Sequence, residues 1–200
     1  DVPDAQALGE VAAASGIGDL NRADLDAVIA GSDLSLSLFM TWFTEGMFGF
    51  TSTADAEVLF RLVHNQILEP RFDHAAVDRY GREQLPLAED PGLDPNYANV
   101  VALLDARYDD PRGRLPNAEA LESIDTAGIE RVFDERFGDV SDWVFAFSGD
   151  LDIDEMVELS RRYVGTLPGD GIDDEVDFVE EPPPGGVVQR EVTAASGDLA

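Results

Sequence analysis

Apolar and polar positions along the chain fall into two periods. Over residues 5–15, Leu8, Val11 and Ala12 recur at helical spacing and Gly16 stands where the helix would stop. Asn21 and Asp24 open a second short helix in capping-box style, with Leu25, Val28 and Ile29 as its apolar stripe and Gly31 as its stop. Over residues 33–43 the period drops to two: Leu34, Leu36 and Leu38 alternate, which predicts a strand. Gly46 and Gly49 flank a second strand, so the two predict a hairpin. Ser52 and Asp55 match a capping box ahead of a strong helix, on which Ala56, Leu59, Phe60, Val63 and Ile67 share one face.

Pro70 ends that helix, and Phe72-Asp73 starts another towards Glu83. A loop over residues 88–95 precedes a helix over 96–107, then a polar turn over 109–116, then short helices near Ala118 and over 126–137. Trp143, Val144, Phe145, Ala146 and Phe147 form an apolar run suited to a covered strand, and Gly149-Asp150 ends it. Asp154 is placed as an N-cap, Met156, Leu159, Ser160 and Tyr163 follow at helical spacing, Gly165 closes the helix and Pro168 prevents continuation. Residues 169–186 read as an acidic linker rich in Pro and Gly, and 187–192 as a last strand.

The order does not alternate strictly between strand and helix. It predicts an α+β fold with helices layered on a mainly antiparallel sheet, rather than a doubly wound parallel one. Residues 1–168 form one unit, divisible into halves at 1–90 and 91–168, and 187–200 lead into whatever follows. The chain begins at Asp1 rather than Met, which reads as a piece of something longer.

Charge changes the picture more than hydropathy does. Forty-two acidic residues face 13 basic ones, all Arg, for a net charge of −29. A polyanion partner needs a basic patch, so nucleic acid is excluded, and an anionic membrane surface is repelled. A heavily solvated acidic surface suited to high salt is the plain reading; attraction of basic peptides is the functional one. There is no cysteine, hence no disulfide or thiol chemistry. No run is long enough to span a bilayer, and no signal-peptide pattern is present.

Asp150, Asp152 and Asp154 have the spacing of a calcium loop, but its sixth and twelfth positions hold Glu155 and Arg161 instead of Gly and Glu. Positive charge where a bidentate carboxylate belongs removes that reading. His64 and His74 lie in different helices on either side of Pro70 and are read as structural. Trp42 and Trp143 are read as core. Nucleophile-elbow, P-loop and dinucleotide glycine patterns are absent. With so many acids, no carboxylate pair can be singled out as a glycosidase-type dyad.

The segment closing on Tyr163, Gly165, Leu167 and Pro168 resembles the end of a repeat in insulinase/pitrilysin-type zinc peptidases, where "Y-x-G-x-L-P" closes each repeat. Gly49-Phe50-Thr51-Ser52, a helix, and Glu69-Pro70-Arg71-Phe72-Asp73 resemble the middle of that repeat. Arg136-Phe137-Gly138-Asp139 is similar to the bacterial multi-repeat subgroup. The resemblance covers roughly residues 3–192.

The resemblance implies a zinc motif, H-x-x-E-H, on the first helix, with a further Glu downstream. Here that stretch is 5–11, AQALGEV, with no histidine in any register. Glu10 alone cannot hold zinc, and without the histidine pair neither Glu83 nor Glu89 carries over as a ligand. The expected catalytic, cofactor-binding and metal residues of this chain are therefore none. The resemblance implies a non-catalytic repeat of a bacterial zinc endopeptidase, periplasmic or secreted. Its partners would be the other repeats of the parent and a peptide substrate, and zinc would sit in a separate catalytic repeat. The alternatives are a stand-alone peptide-binding scaffold and, behind it, a carboxylate-based hydrolase. It also implies strands ahead of the first helix, so the sheet is expected to lack its first strands. The exposed edge would then be covered by residues 187–192 or by a neighbour.

Overall fold

The computed structural model describes residues 2–41, 44–169, 171 and 185–192. The first helix, α1 (Val2–Ser15), begins three residues earlier than its apolar period predicts, and Asp4, Ala7, Leu8, Val11, Ala12 and Ser15 face inward. A short bridge between β1 (Gly16–Ile17) and β2 (Leu20–Asn21) follows; two residues on each side leave no readable period, and the sequence gives no sign of it. Asn21 then caps α2 (Arg22–Ile29), its side chain accepting from the amides of Ala23 and Asp24. Of the expected stripe only Leu25 is buried, while Val28 is 64% exposed.

The hairpin forms as expected, from β3 (Leu34–Met40) and β4 (Glu45–Thr51), paired antiparallel with Leu38 opposite Met47. Its inner face carries Leu34, Leu36, Leu38 and Met40. Alternation puts Phe48 and Phe50 on the outer face, where they are 66% and 54% exposed. The inner face rests on α1 and on α3 (Ala56–Leu68). The approach to α1 is close: a Cβ on Gly9 would lie 2.6 Å from the carbonyl oxygen of Leu38. Ser52 does not cap α3 directly. Its hydroxyl donates to the Asp55 carboxylate at 2.9 Å, and a 3₁₀ turn over Thr53–Asp55 leads in.

The second layer is helical: α4 (His74–Glu89), α5 (Pro95–Arg107), α6 (Ala118–Glu122) and α7 (Thr126–Phe137). The α4 helix runs past Glu83 and tolerates Pro86 in its last turns. The core lies where α1, α4 and α7 meet, with Leu8, Val11, Ile129, Phe133 and Phe137 all but solvent-free. Phe133 stacks on Phe137 at 5.2 Å and tilts against Phe72 at 5.5 Å. Truncating Leu8 or Ile129 to Ala here costs ~2–5 kcal/mol through lost transfer energy and the cavity left behind.

Two expected strands are not strands. Trp143–Ala146 alternates in exposure like one, with Val144 91% exposed, but it has no ladder partner among the described residues. Residues 187–192 likewise pair with nothing among the described residues, and Val187 is 97% exposed. The sequence supplied aromatic and β-branched residues in the first case and valines in the second, and the missing ingredient is a neighbouring edge. The closing helix α8 (Ile153–Leu159) is capped by Asp152 rather than Asp154, accepting from the amide of Glu155, and ends in a π turn over Ser160–Val164. Trp42, the linker residues 172–184 and the terminal residues 193–200 lie outside the described residues.

Candidate functional site

Two concavities are candidates. The larger, about 1110 Å³, is a slot with unlike walls. One wall is the free edge of β4 and the other is the extended segment at residues 142–150. The floor is Leu59, Phe60 and Val63 of α3 with Tyr163 beyond them. Phe60 stacks on Phe147 at 5.0 Å, and Trp143 meets Phe137 edge-on at 5.5 Å, so aromatic contacts rather than backbone bonds hold the outer wall. None of the amides or carbonyls of Val144–Ser148 has a backbone partner among the described residues. Among the described residues, the β4 strand pairs on its β3 side only. Thr51, at the end of β4, has a buried hydroxyl without a partner. Such a slot presents donors and acceptors on two sides and an apolar floor, which is the chemistry of an incoming strand.

Glu57 anchors the far side. It accepts from the Tyr163 hydroxyl at 2.8 Å and from Arg162 at 2.9 Å, tying the closing helix to α3. The Tyr163 hydrogen bond, then the two nearby guanidiniums of Arg162 and Arg61, hold its carboxyl below the usual range.

The smaller concavity, about 330 Å³, lies where α1 meets α4 and α5. It contains the part of α1 to which the resemblance assigns zinc. Ala7, Leu8 and Val11 are buried in the core, while Gln6 and Glu10, one turn apart, line the cavity with Tyr80 and Gln84 of α4 and Tyr97 of α5. Gln6 is occupied, its Nε2 donating to the Arg114 carbonyl at 2.7 Å. Burial, with the charge of Glu10 behind it, pushes the Tyr80 hydroxyl up to about 12. Glu83 turns outward to Arg79 and Glu89 is exposed, so neither joins Glu10. One carboxylate, two amides and two phenols do not match the three imidazole or carboxylate donors that a catalytic zinc needs. No group of three His, Cys, Asp or Glu able to hold a metal occurs among the described residues. Sequence reasoning missed Gln84; its only signal is that it follows Tyr80 by one turn.

Both histidines make contacts within the fold, and His64 also lines the larger concavity. The His64 Nε2 lies 3.2 Å from the Thr166 hydroxyl and its ring meets Tyr163 edge-on, while His74 Nδ1 lies 3.2 Å from the Thr126 hydroxyl. The acidic turn is structural too: Asp152 caps α8, and Arg161 pairs with Glu158.

The chain is 19% identical over 161 residues to a probable zinc protease PqqL of Haemophilus influenzae, matching 76% of the chain but 16% of that protein. No family model matches it. The crystal structure of the periplasmic protease PqqL from Escherichia coli superposes with a TM-score of 0.71 at 18% identity, over 90% of the chain and 19% of the protease. The ferredoxin protease FusC, solved as a mutant in complex with Arabidopsis ferredoxin, gives 0.65 at 16% identity, over 83% of the chain and 18% of FusC. A protease from Helicobacter pylori gives 0.67 at 10% identity, over 91% of the chain and 44% of that structure. The chain thus spans less than a fifth of the curated relative and of the first two structures. No helix of the described residues is long and apolar enough to cross a membrane. The sequence similarity, the order of motifs and the superpositions agree: this chain has the insulinase-like metallopeptidase fold.

Proposed function

We propose that the chain is a non-catalytic repeat of a zinc endopeptidase, forming part of a chamber wall and helping to hold an extended peptide for a separate catalytic repeat. The observation that carries this reading is the pair Gln6 and Glu10, which stands on α1 in the stretch where the resemblance places two histidines. A lone carboxylate among amides and phenols cannot assemble a catalytic zinc site, whereas the slot beside β4 offers backbone groups to a peptide. The wall would work with the other repeats of its parent. The FusC complex supports protein or peptide as the substrate class, and the E. coli relative supports a bacterial periplasmic setting.

The test is zinc content and peptidase activity, measured side by side on this 200-residue chain and on the longer protein that contains it. The chain is expected to hold no stoichiometric zinc and to cleave nothing; the longer protein is expected to cleave peptides and to lose that activity to a chelator. Stoichiometric zinc with cleavage by the chain alone overturns the reading.

A further inference from the structure

We infer that the smaller concavity, on the stretch of α1 where the resemblance puts zinc, is a pocket for the guanidinium of an arginine side chain carried by a peptide. The lining groups point to this ligand. Tyr80 is only 8% exposed, yet its hydroxyl has no hydrogen-bond partner among the described residues. A buried tyrosine hydroxyl ordinarily finds one, so this one is held ready for a group that enters the cavity. The side chains of Glu10, Gln84 and Tyr97 line the same cavity and also make no hydrogen bond or ion pair among the described residues. Idle polar groups from α1, α4 and α5 thus converge on one small space.

Charge and donor count decide what fits. Arg112 and Arg114 line the cavity as well, but Arg112 is paired with Asp110 at 2.6 Å, and Arg114 with Asp109 at 3.2 Å and Asp105 at 3.6 Å. Glu10 is then the charge left uncompensated, and the local field favours a cation over a phosphate or carboxylate. Every idle group can accept a hydrogen bond: the Glu10 carboxylate, the two phenol oxygens and the amide oxygen of Gln84. A guanidinium brings only donors, in a planar fork that also stacks on phenol faces, and it loses its water more readily than an ammonium does. The volume of about 330 Å³ is at the small end for ligand pockets, enough for one side chain and too little for a length of peptide. Met40 and Arg112 line both concavities, so the pocket adjoins the slot near the end of β3. The inference rests on the peptide reading above for the source of the arginine and adds a residue preference to it.

The experiment is calorimetric titration of the 200-residue chain with acetylated and amidated alanine-threonine peptides that differ at one central residue: arginine, lysine or citrulline, an uncharged stand-in of similar shape. The arginine peptide is expected to bind at least about tenfold tighter than the citrulline peptide. Glu10→Gln should abolish that advantage. Tyr80→Phe, which keeps the ring and its packing, should reduce it. Glu130→Gln removes the same charge from an exposed position on α7 outside the cavity and should leave it unchanged. Thermal melts verify that each variant is folded. Equal losses from E10Q and E130Q overturn the pocket and assign the attraction to general charge. A lysine peptide that binds as tightly as the arginine one overturns the guanidinium preference, and methylguanidinium that matches the arginine peptide overturns the peptide source. Arginine and citrulline peptides that bind equally remove the inference and leave the peptide reading standing; binding by none of the peptides removes both.

Discussion

Phe60 and Phe147 stack with ring centroids 5.0 Å apart, one from the buried face of α3 and the other from a segment without backbone partners among the described residues. The contact is a principal link between the outer wall of the slot and its floor. Phe147→Ala is expected to lose roughly 1 kcal/mol of stability, the scale of an aromatic pair on a half-exposed ring. It should also speed exchange at 144–148, read by urea unfolding and hydrogen exchange together. Phe60→Ala empties a buried position and should cost ~3–5 kcal/mol. Equal effects from the two substitutions would contradict this division of roles.

Glu57 predicts an acid limit to the docking of the closing helix. Its carboxyl is held low, first by the Tyr163 hydroxyl and then by Arg162 and Arg61. A carboxyl whose pKa is lowered by folding stabilises the protein above its unfolded range, and that contribution fades as pH falls through the folded value. Glu57→Gln should therefore destabilise the protein at neutral pH. Its difference from the parent should narrow as pH falls below the ordinary carboxylate range and close only below the lowered folded value, where the parent carboxyl is also protonated. Thermal melts from pH 3 to 8 measure this.

Asp4 and Gly128 predict effects of opposite sign to the ordinary ones. Asp4 is 8% exposed, one of its oxygens has no partner, and burial raises its pKa. A raised folded pKa means that the protein gains stability as pH falls through it, so Asp4→Asn should stabilise at neutral pH and flatten that dependence. Gly128 sits in α7 against the same carboxylate, and a Cβ there would lie 2.5 Å from an Asp4 oxygen. Alanine normally favours a helix by about 1 kcal/mol over glycine. Here Gly128→Ala should instead cost ~1–3 kcal/mol through overpacking. A rise in melting temperature for G128A would refute the close contact.

The charge of −29 predicts stability that grows with salt. Raising ionic strength from 0.1 to 1 M shortens the screening length from about 10 Å to about 3 Å and relieves repulsion within the folded chain. The melting temperature should climb across that range. An unchanged melting temperature would contradict a destabilising repulsion within the folded chain.

Local chemistry made much of the fold legible in the sequence. The stripes of α1 and α3, the helix over 126–137 and the alternation of β3 depend on residue order alone, and the structure places them as read. The Asn21 cap was readable for the same reason; the cap of α8 was misplaced by two residues because three alternating aspartates offer equivalent side chains. The absence of a histidine pair on α1 was also a property of the sequence, as was the order of motifs that resembles the insulinase-like fold.

Tertiary structure decided what sequence order cannot encode. A strand needs a partner edge, so the apolar run at 143–147 and the valines of 187–192 could not become strands on composition alone. Residues far apart in the chain had to meet before the slot existed: the edge of β4, the floor of α3 and the segment that Phe147 ties to Phe60. Likewise only packing turned Gln6 and Glu10 towards Gln84 and sent Glu83 outward to Arg79, because rotation of one helix against another is set by the whole core.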